Sequence, residues 1–260
     1  MVEAEKKKLE ELLKEVILCK KCEEVKKKNL VNKHKAGQLE ESDIHTRFHV
    51  YSKGTQTRFM FIMEKPGEGG KEGKYLGQSF LDGEKLVDFS EYVKRRQKAF
   101  IKWIDKQNKL FELKSFFDTV NTVLALKEPI GKDQKFFEHV HVTDVQKCID
   151  GTPGKCFNKF LIEEIKLLQP DLVFCFGSTA WGKIKACKDF EVKSADGYGG
   201  SMKIKDIHGR LFNFKINDKI VWVMPCLHFS FRTRNSAPRN SYMDCIKEGL
   251  ERFKEINKSS

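Results

Sequence analysis

Apolar residues occur along the chain in two patterns, a helical spacing near the start and short continuous runs further on. In residues 3–17, leucine, valine and isoleucine recur every three or four positions with Lys and Glu between them, which predicts an amphipathic helix. Four apolar-rich runs bounded by polar or turn-forming residues predict core strands. They are RFMFIM at 58–63, FFEHVHVTDV at 136–145, DLVFCFG at 171–177 and IVWVMP at 220–225.

The segments between these strands carry helical periodicity or turn signals. The predicted elements are a mostly helical stretch at 85–126, an amphipathic helix at 157–170 that Pro170 ends, a helix after Gly177, a polar hairpin-like stretch at 188–219, a C-terminal helix from about Ser241, and a short strand near 48–51. Turn signals at 196–197 and 217–218 support the hairpin.

Strands that alternate with helices predict a three-layer α/β/α domain around a central, mostly parallel, four-stranded sheet. The chain has no internal repeat and no composition boundary, so residues 1–260 are predicted to form a single domain. In such sheets the chemistry collects at the carboxyl ends of the strands. The loops after Met63, Asp144, Gly177 and Pro225 are therefore the candidate site segments.

The charge and the apolar content of the chain limit the kinds of partner and compartment that are expected for the protein. The chain carries 49 basic against 37 acidic residues, a formal net charge of +12, and nucleic acid is the first partner that such a surface suggests. Lysine-rich surfaces also serve solubility, so charge alone leaves both interpretations open. No apolar run approaches the roughly 18 residues of a membrane span, and the charged N-terminus predicts an intracellular protein in a reducing compartment.

Eight cysteines in a reducing compartment indicate metal ligands or core residues rather than disulfides. Cys19 and Cys22 form a C-x2-C pair, and Cys148 and Cys156 form a looser pair across a turn. Such pairs suit four-sulfur ligation of zinc or of a 4Fe–4S cluster, and the wide second spacing favours iron–sulfur. The other four are interpreted as small buried hydrophobes: Cys175, Cys187, Cys226 and Cys245.

Six short motifs follow one another along the chain: ILCKKC at 17–22, MEKPG at 63–67, GQSF at 77–80, TDVQKC at 143–148, CFNKFLIEEIKLLQPDLVFCFGSTAW at 156–181 and LHFS at 227–230. In this order they resemble the uracil-DNA glycosylase superfamily, most closely its cluster-containing family 4. The resemblance spans nearly the whole chain apart from a helical insertion at about 90–130. It implies a structural 4Fe–4S cluster on Cys19, Cys22, Cys148 and Cys156, with zinc as the alternative.

The resemblance also implies a DNA-repair enzyme that flips a damaged base out of DNA and hydrolyses its N-glycosidic bond. Extrusion costs a few kcal/mol, which stacking and edge hydrogen bonds in the pocket offset. Its partner would be DNA, duplex or single-stranded, bound in a salt-dependent way through the basic surface. Such an enzyme is expected to be a monomer, cytoplasmic or nucleoid-associated, without membrane contact.

The resemblance assigns roles to individual residues. Phe80 matches the aromatic that stacks on the flipped base, and His228 matches the histidine that donates to a base oxygen as charge develops. Ser230 is expected to touch a phosphate, and Phe231 or Arg232 to wedge into the base stack. Pro66 and Gly67 would let the backbone approach DNA closely.

Besides Met63, which stands in place of the family's first glycine, three positions at or near the pocket depart from the family pattern. Lys65 replaces a small residue or a water-activating Asp, so Glu64 is predicted to position the water. Lys65 is left to pair with Glu64, contact phosphate or attack the sugar as an amine. Asp144 replaces the uracil-reading Asn. An ionised carboxylate has no donor for uracil O4, which predicts a substrate other than plain uracil unless Asp144 is protonated. Phe229 replaces the proline of His-Pro-Ser.

These departures leave two rival interpretations open. Changes at Lys65, Asp144 and Phe229 are also typical of a catalytically inactive member that only binds DNA or RNA. A zinc-stabilised α/β protein that binds nucleotides is the other rival, and iron content separates it from a cluster protein.

Overall fold

The computed structural model describes 3–17, 58–64, 81–82, 85–86, 91, 94, 97–98, 112–127, 129–130, 137, 139–147, 153–228 and 239–258 of the chain's 260 residues. The strand predicted near 48–51 lies outside these ranges, as does most of the first half of the helical stretch predicted at 85–126. Among the described residues no helix is long and apolar enough to cross a membrane.

The described strands are β1 (Phe59–Met63), β2 (Leu81–Asp82), β3 (Lys85–Leu86), β4 (Val140–Asp144), β5 (Leu172–Phe176), β6 (Lys193–Ser194), β7 (Phe212–Ile216) and β8 (Lys219–Cys226). Six of them form one sheet in the order β4-β1-β5-β8-β7-β6, and β2 pairs with β3 in a two-stranded ribbon. The four predicted core strands, β4, β1, β5 and β8, are the parallel part of the large sheet. The prediction of an α/β fold around a mostly parallel sheet is therefore confirmed.

The sheet has six strands among the described residues rather than the four predicted. The polar stretch at 188–219 supplies the difference, because β7 turns through Asn217, at φ 52°, and pairs antiparallel with β8. β6 then pairs antiparallel with β7. Alternating burial along β7 shows that one of its faces meets the core, so the hairpin belongs to the sheet rather than to a surface loop.

The described helices are α1 (Glu3–Ile17), α2 (Glu112–Leu124), α3 (Pro153–Cys156), α4 (Ile162–Leu168), α5 (Ser178–Lys185), α6 (Ile204–Ile207) and α7 (Arg239–Lys258). A π-helical turn, Phe157–Leu161, joins α3 to α4, and in it the Ile162 N–H donates to the Phe157 carbonyl five residues back. The single amphipathic helix predicted at 157–170 therefore begins earlier and changes its hydrogen bonding midway.

Each face of the sheet is covered by its own hydrophobic cluster. On one face, Phe61 packs edge-on against Phe174 at 5.1 Å between ring centroids, and Phe116 of α2 packs against Phe174 at 5.2 Å. On the other face, Met60 and Ile62 pack with residues of the π-helical turn, α4 and α5. The single domain and its helical insertion stay predictions, and α2, inside the predicted insertion, contributes to the core.

Candidate active site

Three parallel strands bring three chain segments to one edge of the sheet. β1 pairs with β5, and β5 pairs with β8, all parallel, so their carboxyl ends lie side by side. Glu64 follows β1, Gly177 follows β5, and Leu227 and His228 follow β8. This is the edge at which open α/β sheets bind their ligands.

Gly177 lies close to two titratable residues at this edge, Glu64 and His228. A Cβ on Gly177 would be 3.6 Å from Glu64 Oε2 and 3.9 Å from the Cβ of His228. The Gly177 N–H donates to the Cys226 carbonyl at 2.8 Å, and the residue has φ 93°, a conformation that L side chains rarely adopt. The backbone conformation at this position therefore favours glycine, and the pairing of β1 and β8 with β5 places Glu64 and His228 beside it.

The Glu64–His228 pair is partly open to water, since both residues are half-buried. Burial lowers the pKa of His228, and the Glu64 carboxylate partly offsets that effect. His228 is thus a neutral imidazole at neutral pH, which can donate one hydrogen bond without carrying a charge. Glu64 offers an acceptor at the same place.

Asp144 ends β4 beside Glu64. Its Cα pairs in register with Met63, and beyond that point the Val145 N–H donates to the Met63 carbonyl at 2.9 Å and the Gln146 N–H donates to the Glu64 carbonyl at 3.1 Å. Asp144 is fully buried. The structure therefore brings Glu64, Asp144 and His228 to one edge, as their places in the sequence motifs predict.

A second polar cluster, which sequence reasoning missed, joins β4 and the residue Lys147 after it to helix α4. Lys147 Nζ is 2.6 Å from Glu164 Oε1, and His141 Nε2 is 3.2 Å from Glu164 Oε2. These three residues, called the buried triad below, are almost completely shielded from water. Lys147 also donates to Thr143 Oγ1. The triad thus ties the TDVQKC segment to helix α4.

The protonation states of the buried triad follow from its contacts. Burial would raise the pKa of Glu164, but Lys147 and His141 outweigh it and hold that pKa at about 2. Burial also lowers the pKa of His141, against the effect of Glu164. The triad therefore holds one carboxylate, one ammonium and a neutral imidazole that donates Nε2–H to Glu164.

One sequence signal could have found the triad. The apolar face of the π-helical turn and α4 runs through Phe157, Phe160, Leu161, Ile165 and Leu168, and Glu164 lies within it. A charged residue inside an apolar stripe indicates a buried partner, because an unpaired buried charge is costly. The apolar residues alone predict the helix, and the position of Glu164 among them predicts the buried contact.

A family model described as the uracil DNA glycosylase superfamily matches residues 50–253. The chain belongs to this superfamily. Members of the uracil DNA glycosylase superfamily are DNA glycosylases, hydrolases that act on DNA in base excision repair. None of the curated proteins matches the chain at a significant level.

Most residues that the superfamily resemblance assigned to the site fall outside the described residues. They are Cys19, Cys22, Lys65, Pro66, Gly67, Phe80, Cys148, Ser230, Phe231 and Arg232. The roles given to them stay predictions. Glu64, Asp144, His228 and Cys156 are the assigned positions that the structure describes.

Cys156 is the one predicted cluster ligand in the described part of the chain. It ends α3, directly before the π-helical turn, and is only 3% exposed. A thiol shielded from water suits a sulfur-ligated centre, so the described ligand fits the predicted group. Within the described ranges no group of three or more His, Cys, Asp or Glu side chains is placed to hold a metal ion.

The remaining cysteines were predicted to be small buried hydrophobes. Cys175 and Cys226 are fully buried in β5 and β8, and Cys187 is buried after α5, as predicted. Burial raises the pKa of all three thiols, so they are inert as nucleophiles at neutral pH. Cys245 on α7 is half-buried, which that prediction did not anticipate.

Proposed function

We propose that the protein is a DNA glycosylase that takes a damaged base out of the helix and hydrolyses its N-glycosidic bond. Membership of the uracil DNA glycosylase superfamily supports the reaction class. The observation that carries the proposal is the convergence of Glu64 and His228 on Gly177, at the edge where such sheets bind ligands.

The two side chains suit the two halves of this hydrolysis. A water oxygen forms the new bond to C1′ of the sugar, and the C1′–N bond breaks with its electron pair leaving on the base. Glu64 accepts a hydrogen bond from the water and takes up its proton as the sugar develops oxocarbenium character. Neutral His228 donates to a base oxygen on which negative charge develops, and the released base finally takes up a proton.

The specificity proposal rests on Asp144, buried at the end of β4 next to the Glu64 segment. An ionised carboxylate accepts hydrogen bonds but donates none. It would favour a base that presents an amine or ring N–H and disfavour the O4 carbonyl of uracil. A deaminated or otherwise modified base other than plain uracil is therefore the proposed substrate.

A structural 4Fe–4S cluster on Cys19, Cys22, Cys148 and Cys156 is part of the proposal, with zinc as the alternative. Thiolate sets of this kind hold iron–sulfur clusters, and the group would pin the strand end after β4 to the helical segment from Pro153. Support comes from the buried Cys156 thiol and from the triad, which ties the same two segments together.

The test is a cleavage panel on oligonucleotides that carry uracil, hypoxanthine, xanthine or alkylated bases. The full-length protein is compared with Glu64→Gln, Asp144→Asn and the control Asp218→Asn, whose carboxylate is exposed at the β7–β8 turn. We expect release of a non-uracil base, a loss of about 10²-fold or more in Glu64→Gln, and a shift towards uracil in Asp144→Asn. The control should behave like the parent.

Two outcomes would overturn parts of this proposal. Robust release of uracil and no other base would remove the specificity proposal. Tight, salt-sensitive DNA binding with no base released would instead support an inactive member of the superfamily that only binds nucleic acid. The departures from the family pattern at Lys65, Asp144 and Phe229 favour that alternative. Iron and sulfide analysis after anaerobic purification decides between cluster and zinc.

A further inference from the structure

Leu227, the residue before His228, is held through both of its backbone polar groups. Its N–H donates to Nδ1 of His208 at 3.1 Å, and its carbonyl accepts from the hydroxyl of Tyr242 at 2.7 Å. His208 follows α6 and Tyr242 lies in α7, so the two contacts come from different elements. Hydrogen bonds to both polar groups of Leu227 fix the backbone that leads into His228.

His208 and Tyr242 also hold each other. The Nε2 of His208 lies 3.1 Å from the Tyr242 carbonyl, and the two rings lie 4.3 Å apart between centroids. An amide N–H can only donate, so Nδ1 of His208 accepts from Leu227 and the ring proton is on Nε2. Burial lowers the pKa of His208 to about 4, against the carbonyls of Tyr242 and Pro225, so this tautomer is neutral at neutral pH.

The turn that carries His208 is packed tightly against strand β8 and helix α7. The N–H of Gly209 donates to the Pro225 carbonyl of β8 at 2.9 Å. Gly209 has φ 80°, and a Cβ there would come within 2.3 Å of the Cys245 carbonyl of α7. Backbone on two sides leaves His208 little room to move.

We propose that His208 and Tyr242 are positioning residues for His228, which hold the Leu227 peptide so that the imidazole stays beside Gly177 and Glu64. The inference rests on the proposed function for its catalytic consequence only. Loss of either hydrogen bond to Leu227 allows the segment after β8 to shift. A displacement of the His228 imidazole on the scale of about 1 Å would lower the rate about 10²-fold.

The first test removes one hydroxyl and nothing else. Tyr242→Phe loses the bond to the Leu227 carbonyl, and the matched control Tyr198→Phe loses a bond of the same kind, to the Ser201 carbonyl on an exposed loop. On a base that the parent excises, we expect Tyr242→Phe to lower kcat about ten- to a hundredfold with little change in KM. Tyr198→Phe should leave both unchanged.

The second test reads His228 directly and does not need activity. In the parent, burial holds the pKa of His228 below its ordinary value of about 6.5, so the ring is expected to titrate below that value. In Tyr242→Phe the midpoint, followed by NMR of the imidazole, should rise towards the ordinary value as the ring meets more water. Urea unfolding of each variant shows whether the fold itself is kept.

A pair of His208 variants provides a rescue. Glutamine keeps one acceptor and one donor, so His208→Gln should retain most of the parent's His228 titration, whereas His208→Leu should move it as Tyr242→Phe does. A Tyr242→Phe variant whose His228 midpoint and kcat match the Tyr198→Phe control overturns the inference. If the parent excises no base, the proposed function fails, and the His228 titration still decides the positioning.

Discussion

The Glu64–His228 pair and the buried triad lie near the same edge of the sheet, and they use their charges in opposite ways. Glu64 and His228 are half-buried, and both lie close to Gly177. In the triad, Glu164 is completely buried and meets Lys147 at 2.6 Å. The hydrogen-bonding capacity of a buried charge is used by its partners, so that charge affects the stability of the fold. A half-buried carboxylate can still accept a hydrogen bond from a substrate or a water.

Breaking the triad gives the largest expected effect. In Lys147→Met the Glu164 carboxylate stays buried without its cation, and the free energy of unfolding should fall by about 3–5 kcal/mol, measured by urea denaturation at equal metal content. The double variant Lys147→Met/Glu164→Met removes both charges and should recover most of that loss.

The matched control for this experiment is Lys166→Met. Lys166 contacts Glu163 and Asp189 near the surface, with 40% of its side chain exposed, so its loss should cost under about 1 kcal/mol. Equal losses in Lys147→Met and Lys166→Met would show that burial does not distinguish the two clusters.

Acid should act on the triad with a defined sign. The folded-state pKa of Glu164 is about 2, below its ordinary 4.5, so the stabilisation from its ionised form is fully present above pH 4.5 and is lost as the pH falls from 4.5 through 2. Within that window the parent should lose about 1 kcal/mol per pH unit more than the double variant does. The free energy of unfolding, measured by urea at pH 5 and pH 3.5, checks this; equal pH slopes would contradict it.

The smallest effect concerns the Glu64–His228 pair. Since the Glu64 carboxylate raises the pKa of His228, Glu64→Gln should lower the His228 titration midpoint, read by NMR. Glu163→Gln, an exposed glutamate of α4 that contacts Lys166, is the control and should leave the midpoint in place. An unchanged His228 midpoint in Glu64→Gln would show that the Glu64 carboxylate does not influence the pKa of His228.

The sequence predicted the features that depend on local pattern. The leucine spacing in 3–17 corresponds to helix α1, and the four apolar runs correspond to β1, β4, β5 and β8. Because the strands are parallel, the positions of Glu64, Asp144 and His228 at or just after the ends of three of them were enough to predict that they share an edge.

The features that the sequence did not reveal depend on contacts between distant residues. The pairing of β7 with β8 makes the sheet six-stranded, although the residues of that stretch are polar overall. The contacts of His208 and Tyr242 join positions 34 residues apart, and no periodicity marks them. Glu164 was visible as a charge within an apolar stripe, but its partner Lys147 was not.

The π-helical turn, Phe157–Leu161, separates Cys156 from Glu164, and it holds one residue more than an α-helical turn would. Each residue of a helix advances its direction by roughly 100°, so the extra residue sets the angle between the two side chains. In a related chain one residue shorter here, the cysteine would lie roughly 100° further round the helix axis relative to the carboxylate. A single-residue deletion inside this turn therefore decides which way the thiol points.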